Sequence, residues 1–200
     1  MQNTLVIFSG LPGAGKSTLA NLLARELRWP LLRIDDLTDP MPAETDIPFW
    51  DSKILNLLTV AEAQLELGIN VIVDSVFMRN DRLHAQELAR TYNARFRPIY
   101  NFVSDEALWE KRVTARDVFI EDNRRVTQRY EGNPVTDIWE RLKFQRRGFL
   151  PWQPNTALFV DAIYPVEQNY ESVLKYVISE NVDIKPLSMD APLVRGNYHS

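Results

Sequence analysis

The sequence predicts an α/β fold in which a parallel five-stranded sheet is flanked by helices. Short apolar runs alternate five times with longer segments of helical periodicity along the 200 residues, and strands that are separated by helices pair in parallel. The glycines support this fold, because three of only seven, Gly10, Gly13 and Gly15, stand between the first strand and the first helix. A glycine cluster at that junction is typical of a turn that binds phosphate.

The five predicted strands are mostly apolar over four to seven residues, as expected for strands buried on both faces of a sheet. They are Thr4–Phe8, Leu31–Ile34, Val71–Asp74, Phe96–Phe102 and Ala157–Asp161. Right-handed crossovers between parallel strands place the loops that follow the strands at one edge of the sheet. Functional residues are therefore expected at the carboxyl ends of these strands.

Helices are predicted where apolar residues recur at spacings of three and four. The first follows the glycine cluster and carries Leu19, Leu22, Leu23 and Leu27. Further helices are expected over 54–65 and 79–92, from the cap Ser104-Asp105 toward Arg116, from Thr136 through Leu142, and after Pro165. We expect one domain over residues 1–180, in which about 111–148 form a lid, and a C-terminal tail over 181–200.

The composition, with 45% apolar and 25% charged residues, is that of an ordinary globular domain. The chain has no cysteine and only two histidines, which excludes disulfide bonds and thiolate metal sites and disfavours His-dependent triads. No stretch approaches the roughly 20 apolar residues of a membrane span, and no signal peptide is recognisable. We therefore expect a cytoplasmic protein that does not insert into a membrane.

The net charge of −4 conceals two segments of opposite charge. Residues 33–51 hold six acidic residues and one arginine, whereas residues 111–148 hold ten basic and six acidic residues. Arginine makes forked contacts with phosphate oxygens, although a solvent-exposed helix with ion pairs has the same composition. The basic segment is a candidate to close over a phosphate group, and the acidic segment disfavours a polyanionic partner.

Residues 10–18 match the Walker A pattern G-x-x-x-x-G-K-[ST] without exception. Such a loop needs glycines because its amides wrap a phosphate and a Cβ would block their approach. The predicted nucleotide-binding residues are Gly10, Leu11, Pro12, Gly13, Ala14, Gly15, Lys16, Ser17 and Thr18. Lys16 is expected to bridge the β- and γ-phosphates of ATP, and the Ser17 hydroxyl to coordinate Mg²⁺.

Carboxylates end two other predicted strands. Asp74 ends the third, where an acid next to the Walker A loop holds Mg²⁺ directly or through a water. The alternative is that Asp74 caps the helix over 79–92 or a turn. Asp35 and Asp36 end the second, where a carboxylate can orient an acceptor hydroxyl and take its proton. We predict Asp35 as the base and Asp36 as a structural or metal-linked residue, with a helix cap as the alternative for one of the pair.

Arg112 and Arg116 are four residues apart and so share one face of the predicted fourth helix. The transition state of phosphoryl transfer spreads negative charge over the equatorial oxygens, and a closing arginine stabilises it. Both arginines are therefore predicted to face the nucleotide, and Arg124, Arg125 and Arg129 are further candidates.

Over about residues 3–180 the chain resembles the small P-loop kinases that include polynucleotide 5′-kinase, zeta toxins and chloramphenicol phosphotransferase. The resemblance rests on G-x-P-G-x-G-K-S-T, the Asp-Asp pair, an I-V-D strand end and a K-R-x-x-x-R element that opens the lid. It implies an AAA-type P-loop NTPase fold, similar to nucleoside monophosphate kinases, with a helical lid. In polynucleotide kinase the first Asp of the pair is the base and the second lid arginine is catalytic, which implies these roles for Asp35 and Arg116.

Two departures from the kinase pattern concern the acceptor. Leu37-Thr38-Asp39 stands where the kinase has an arginine, and Ser75-Val76 where it has Thr-Asn. With the acidic segment, they favour a small hydroxyl-bearing acceptor, such as a sugar, an antibiotic or a metabolite, over nucleic acid. The alternatives are a polynucleotide 5′-hydroxyl or nucleotide-sugar kinase and, from another class, a nucleotide-binding ATPase or switch, although the GTPase signatures D-x-x-G and N-K-x-D are absent.

Overall fold

The computed structural model of the chain describes residues 2–37, 49–115, 142, 156–182 and 185. Its strands lie in one sheet and are β1 (Thr4–Ser9), β2 (Leu31–Arg33), β3 (Val71–Asp74), β4 (Arg95–Phe102) and β5 (Leu158–Asp161). All pairs of neighbouring strands in this sheet are parallel. The predicted α/β class with a parallel five-stranded sheet is confirmed.

Helices connect these strands on both faces of the sheet. They are α1 (Lys16–Leu27), α2 (Phe49–Glu66), α3 (Arg79–Thr91), α4 (Glu106–Thr114) and α5 (Val166–Ile178), and a short 3-10 turn covers Ile34–Asp36. Asp105 caps α4 as predicted, because its carboxylate accepts a hydrogen bond from the Leu108 N–H at 3.0 Å. Among the described helices, none combines the length and the apolar character that crossing a membrane requires.

The order of the strands across the sheet is β2-β3-β1-β4-β5, so β1 lies in the middle. The chain runs from β1 outward to β2, returns to β3 beside β1, and then crosses to β4 on the other side of β1. In open parallel sheets, ligands bind at the carboxyl edge beside such a reversal. The fold therefore places the binding crevice at the carboxyl end of β1, where the glycine cluster begins.

The core has two layers, one on each face of the sheet, and β1 supplies both. Leu5 and Ile7 pack into the layer formed with α2 and α3, whereas Val6 and Phe8 pack into the layer formed with α1 and α5. All four side chains are fully buried. This alternation follows from the two-residue period of a strand and explains why β1 is apolar throughout.

The ends of the elements differ slightly from the predictions, and strand pairing explains why. The second strand stops at Arg33 because its neighbour β3 ends opposite, at Asp74, so Ile34 turns out of the sheet. The fourth begins at Arg95, which pairs with Thr4.

Most of the predicted lid, the helix from Thr136 and nearly all of the tail lie outside the described residues. Leu142 is described, and it is helical and buried as predicted.

Candidate active site

The Walker A segment leaves β1 at Ser9 and enters α1, whose first residue is Lys16. A hydrogen bond of 3.3 Å from the Ala14 N–H to the Leu11 carbonyl closes the turn between them. The N-terminus of a helix carries unpaired N–H groups and the positive end of the helix dipole, both of which attract anions. The loop and α1 therefore direct donors toward one place at the carboxyl edge of the sheet.

Gly10 begins this turn in surroundings that admit no side chain. Its φ of +136° belongs to the region that favours glycine. A Cβ at this position would overlap the backbone carbonyl oxygen of Asn101, the residue of β4 that passes directly beside the loop. The first glycine of the motif is thus required by the close approach of two backbones, independently of any ligand.

Gly10→Ala is expected to lower the free energy of unfolding by about 3 kcal/mol or more, because backbone strain adds to a clash with a strand that cannot rotate away. Gly68→Ala is a matched control, since Gly68 also has a positive φ, of +77°, but an added Cβ there meets nothing within 4 Å. Urea unfolding followed by circular dichroism measures both losses. Equal losses would contradict the close approach at Gly10.

A cavity of about 320 Å³ opens beside the loop. One wall is the segment from Gly13 to Leu19. The other is made by Arg112 of α4, by Ala162 and Tyr164 of the β5–α5 loop, and by Val166 and Asn169 of α5. Tyr164 and Val166 are exposed and bring apolar surface to this wall. Polar donors at one end and apolar surface at the other suit a ligand with a phosphate chain and a flat ring.

The β5–α5 loop is held in place by hydrogen bonds that the sequence interpretation did not anticipate. Asn169 donates through Nδ2 to the Asp161 carbonyl at 2.9 Å, and the Asp161 carboxylate accepts from the Ser104 N–H at 3.1 Å and the Ile163 N–H at 3.2 Å. The only sequence signal for this wall is its position after the fifth strand, at the functional edge of the sheet.

The side chain of Lys16, the first residue of α1, folds back over the loop that precedes it. Lys16 is only 9% exposed, and its Nζ donates to the Leu11 carbonyl at 3.2 Å. The ammonium group is thus held over the turn of the Walker A segment. The structure brings Lys16, Ser17 and the carboxylate of Asp74 together, as the two predicted motifs require.

Asp74 is placed beside the loop by strand pairing. It lies opposite Phe8 of β1, and the next residue, Ser75, donates its N–H to the Phe8 carbonyl at 3.2 Å. Asp74 does not cap α3, since that helix has Met78 as its N-cap and Asp81 accepts from the Met78 N–H at 2.7 Å. The alternative interpretation of Asp74 as a helix cap is therefore wrong.

Burial dominates the electrostatics of Asp74, which is only 4% exposed. Burial raises the pKa of this carboxyl above its ordinary value. The charge of Lys16 and a hydrogen bond with the Ser17 hydroxyl lower the pKa, whereas the negative charge of Asp35 raises it. Oδ1 of Asp74 is buried and has no hydrogen-bond partner among the described residues. A buried carboxylate with an unused oxygen is suited to receive a cation.

The raised pKa of Asp74 means that folding binds a proton at this site. The stability that Asp74 contributes is therefore present at acidic pH and is lost as the pH rises through the raised pKa. Asp74→Asn does not titrate, so in EDTA we expect its melting temperature to increase relative to that of the wild type as the pH rises above the ordinary pKa of an aspartate. Scanning fluorimetry measures this difference, and an offset independent of pH would contradict it.

Arg33, the last residue of β2, joins the two acidic sites. Its guanidinium lies 3.6 Å from the Asp36 carboxylate, 3.9 Å from that of Asp35 and 4.0 Å from that of Asp74. The sequence interpretation did not identify Arg33 as a site residue. Its position at a strand end, directly before the acidic pair, was the available signal.

Asp35 and Asp36 lie in the 3-10 turn that follows β2, at the same edge of the sheet as Lys16. Their side chains are 74% and 63% exposed, in contrast to the buried Asp74. Neither is the N-cap of a described helix, so the alternative of a helix cap finds no support there. Both carboxylates are open to a second ligand that approaches this edge.

The two lid arginines differ in what the structure describes. Arg112 lines the cavity and donates through Nη2 to the Ala162 carbonyl at 2.9 Å, which ties α4 to the β5–α5 loop. Arg116 lies just beyond the described residues, which end at Ala115 in this part of the chain. Its catalytic role stays a prediction, as do the roles of Arg124, Arg125 and Arg129, which also lie outside the described residues.

Mg²⁺ suits the donors near Ser17 and Asp74. Across residues 2–37, 49–115 and 156–182, no three His, Cys, Asp or Glu side chains form a group able to hold a metal ion by themselves. Mg²⁺ commonly binds through one or two carboxylates and completes its shell with water and substrate phosphates. The free oxygen of Asp74 and the adjacent Ser17 hydroxyl fit that pattern, and a metal role for Asp36 stays a prediction.

The AAA domain family (AAA_33) matches residues 5–130, more than half of the chain, and the match includes the Walker A segment. A comparison with curated protein sequences finds no match. The family match thus covers the loop, the three aspartates and the two lid arginines together.

Three of the solved structures that share the fold illustrate the likeness. A putative kinase from Chloroflexus aurantiacus has a TM-score of 0.63 and 22% identity, covering 88% of this chain and 97% of that one. A gluconokinase from Sinorhizobium meliloti has a TM-score of 0.59 and 18% identity, with coverages of 88% and 91%. The APS kinase of Mycobacterium tuberculosis, in complex with AMPPNP and APS, has a TM-score of 0.60 and 18% identity, with coverages of 89% and 99%. At these identities the likeness establishes the fold alone.

Proposed function

The chain belongs to the AAA domain family, and we propose that it is an ATP-dependent kinase that transfers the γ-phosphoryl group of ATP to a hydroxyl group of a small molecule. The observation that carries this proposal is the arrangement at one edge of the sheet. The Walker A segment lies beside the buried Asp74, and Arg33 connects Asp74 to the exposed pair Asp35 and Asp36. The names of the three similar structures, all kinases, agree with it.

ATP is proposed to bind along the cavity beside the Walker A segment. The amides of residues 10–18 and the N-terminus of α1 hold the β-phosphate, and Lys16 contacts the β- and γ-phosphate oxygens. The apolar surface of Tyr164 and Val166 then covers the nucleoside end. Ser17 and Asp74 would hold Mg²⁺, whose positive charge would offset the negative charge of the phosphate oxygens.

Asp35 is proposed to act on the acceptor. As the acceptor oxygen forms its bond to the γ-phosphorus, the bond from that phosphorus to the β–γ bridging oxygen breaks, and the electron pair stays on ADP. The Asp35 carboxylate takes the proton of the acceptor hydroxyl and later releases it to water. The products are ADP, the phosphate monoester of the acceptor and one proton. Asp36 is proposed as a structural or metal-linked residue.

The lid is proposed to complete the site from the side opposite the loop. Arg112 lines the cavity and is proposed to contact the nucleotide there. Arg116, four residues further along the chain, is proposed to stabilise the charge that develops on the transferred group. This assigns about residues 111–148 to the lid of a single domain over residues 1–180.

The acceptor is proposed to be a small molecule such as a sugar, an antibiotic or a metabolite. Asp35 and Asp36 are largely exposed where the acceptor approaches, and four further acidic residues follow before residue 52. This charge repels the backbone of DNA or RNA.

Because ATP is the phosphoryl donor, we place the activity in the cytoplasm.

Transfer of label from γ-labelled ATP tests the acceptor class. The purified chain is incubated with Mg²⁺ and with nucleosides, sugars, antibiotics or 5′-hydroxyl oligonucleotides, and the labelled products are separated by chromatography. We expect label in one class of small molecule. Label in the oligonucleotides would instead establish a polynucleotide kinase and would contradict our interpretation of the acidic edge.

A further inference from the structure

Trp109 of α4 reaches the Walker A segment from outside the cavity. Its side chain is only 2% exposed, and its Nε1–H donates to the Pro12 carbonyl at 2.7 Å. Trp109 does not line the cavity, whereas Gly13, the residue after Pro12, does. The indole therefore contacts the outer side of the loop whose inner side faces the phosphate site.

The Pro12 carbonyl and the Gly13 N–H belong to one peptide unit. That unit is planar and trans, so its C=O and its N–H point in opposite directions. A donor that holds the carbonyl outward consequently directs the Gly13 N–H inward, toward the cavity. Proline has no N–H of its own, so the carbonyl is the only polar backbone group at position 12 that can be held.

Packing holds the same peptide in place. A Cβ built on Gly13 would lie 3.0 Å from Cγ2 of Val113 and 3.3 Å from Cδ1 of Trp109. Trp109 and Val113 are one helical turn apart, and both belong to the buried cluster that also contains Leu11 and Ala14 of the loop. The helix face thus sets the position of the peptide, and the indole hydrogen bond sets its rotation.

From this geometry we propose that Trp109 is a positioning residue for the nucleotide, which orients the Gly13 N–H toward the phosphate by holding the Pro12 carbonyl. It touches neither ATP nor the acceptor. Without the hydrogen bond, the peptide between Pro12 and Gly13 can rotate, and the apparent affinity is the intrinsic affinity multiplied by the fraction of loops that stay competent. The inference rests on the proposed binding of ATP.

Binding of AMPPNP with Mg²⁺, measured by calorimetry, tests the role of the indole N–H. Trp109→Phe keeps a buried aromatic ring but loses the donor, and we expect its Kd to rise about five- to tenfold. Trp29→Phe is the matched control, because Trp29 packs in the layer of α1 and α5, away from the loop. We expect its Kd to stay within about twofold of the wild type.

Trp109→His separates the hydrogen bond from packing. Histidine fills less of the space but retains a ring N–H, so we expect it to bind AMPPNP more tightly than Trp109→Phe. A purely structural role predicts the reverse order, because the smaller side chain leaves the larger void. That reverse order, or an unchanged Kd in Trp109→Phe, would overturn the inference while leaving the proposed function intact.

Hydrogen exchange of the Trp109 indole in the wild type tests the same coupling without a variant. If the hydrogen bond favours the binding-competent loop, AMPPNP must favour the hydrogen bond by the same factor. We expect the exchange of the Nε1–H to slow about five- to tenfold at saturation, and an unchanged rate would overturn the inference. A wild type that binds no AMPPNP would overturn the proposed function itself.

Discussion

Replacing Lys16 by Met is expected to lower kcat/KM for ATP about 100- to 1,000-fold. Lys16 is only 9% exposed, and its ammonium group is held over the turn by the Leu11 carbonyl. In our proposal this group stabilises the charge that builds on the transferred phosphoryl group. Removing one such preorganised donor from an active site typically has an effect of about this size. Methionine keeps the length and most of the packing of the side chain. A coupled assay of ADP release measures the change.

Lys175→Met is the control for this variant. Lys175 is exposed near the end of α5, so the same chemical change there removes a charge without touching the loop. We expect its kcat/KM to match the wild type. Turnover that survives in Lys16→Met at the level of the control would refute the assignment of the Walker A segment as the phosphate site.

Asp35→Asn is expected to lower phosphoryl transfer about 100- to 10,000-fold while changing the Kd for ATP by no more than about threefold. The amide has the shape of the carboxylate but cannot take the acceptor proton, and general-base catalysis typically contributes this factor. ATP binding is spared because the 74% exposed Asp35 lies at the edge of the sheet rather than in the loop. Label transfer and calorimetry measure the two quantities separately.

Asp36→Asn is the matched comparison for Asp35→Asn. The two carboxylates lie at similar distances from the Arg33 guanidinium, 3.9 and 3.6 Å, and are similarly exposed. We expect the loss of transfer to be much smaller in Asp36→Asn. The opposite result, with transfer surviving in Asp35→Asn and lost in Asp36→Asn, would exchange the proposed roles of the two residues.

The fold could be predicted because its strands are defined by short-range signals. A strand buried on both faces is apolar at nearly every position, and Val71–Asp74 was predicted with the bounds that the structure shows. The bounds of the other strands depend on the partner strand. Arg95 belongs to β4 because Thr4 pairs with it. The two residues are 91 positions apart, so the residues around Arg95 do not indicate that the strand begins there.

The site was predictable to the extent that it is local. The Walker A segment is one continuous stretch, and the positions of Asp74 and Asp35 follow from their strand ends. Contacts between distant segments were not predictable, as for the Trp109 indole and the Pro12 carbonyl, which are 97 positions apart. Arg33 was missed although it stands directly before Asp35 and Asp36, and its third carboxylate neighbour, Asp74, comes close only when β2 and β3 pair.

The central claim is that ATP gives its γ-phosphoryl group to an acceptor hydroxyl at this edge of the sheet. Phosphorus NMR of the purified chain with ATP, Mg²⁺ and the acceptor that takes up label tests it most directly, because the method observes every phosphorus product at once. We predict that ADP and the phosphate monoester of the acceptor appear in equal amounts. ADP accompanied only by inorganic phosphate, whichever acceptor is supplied, would contradict the claim and would indicate an ATPase or a nucleotide switch.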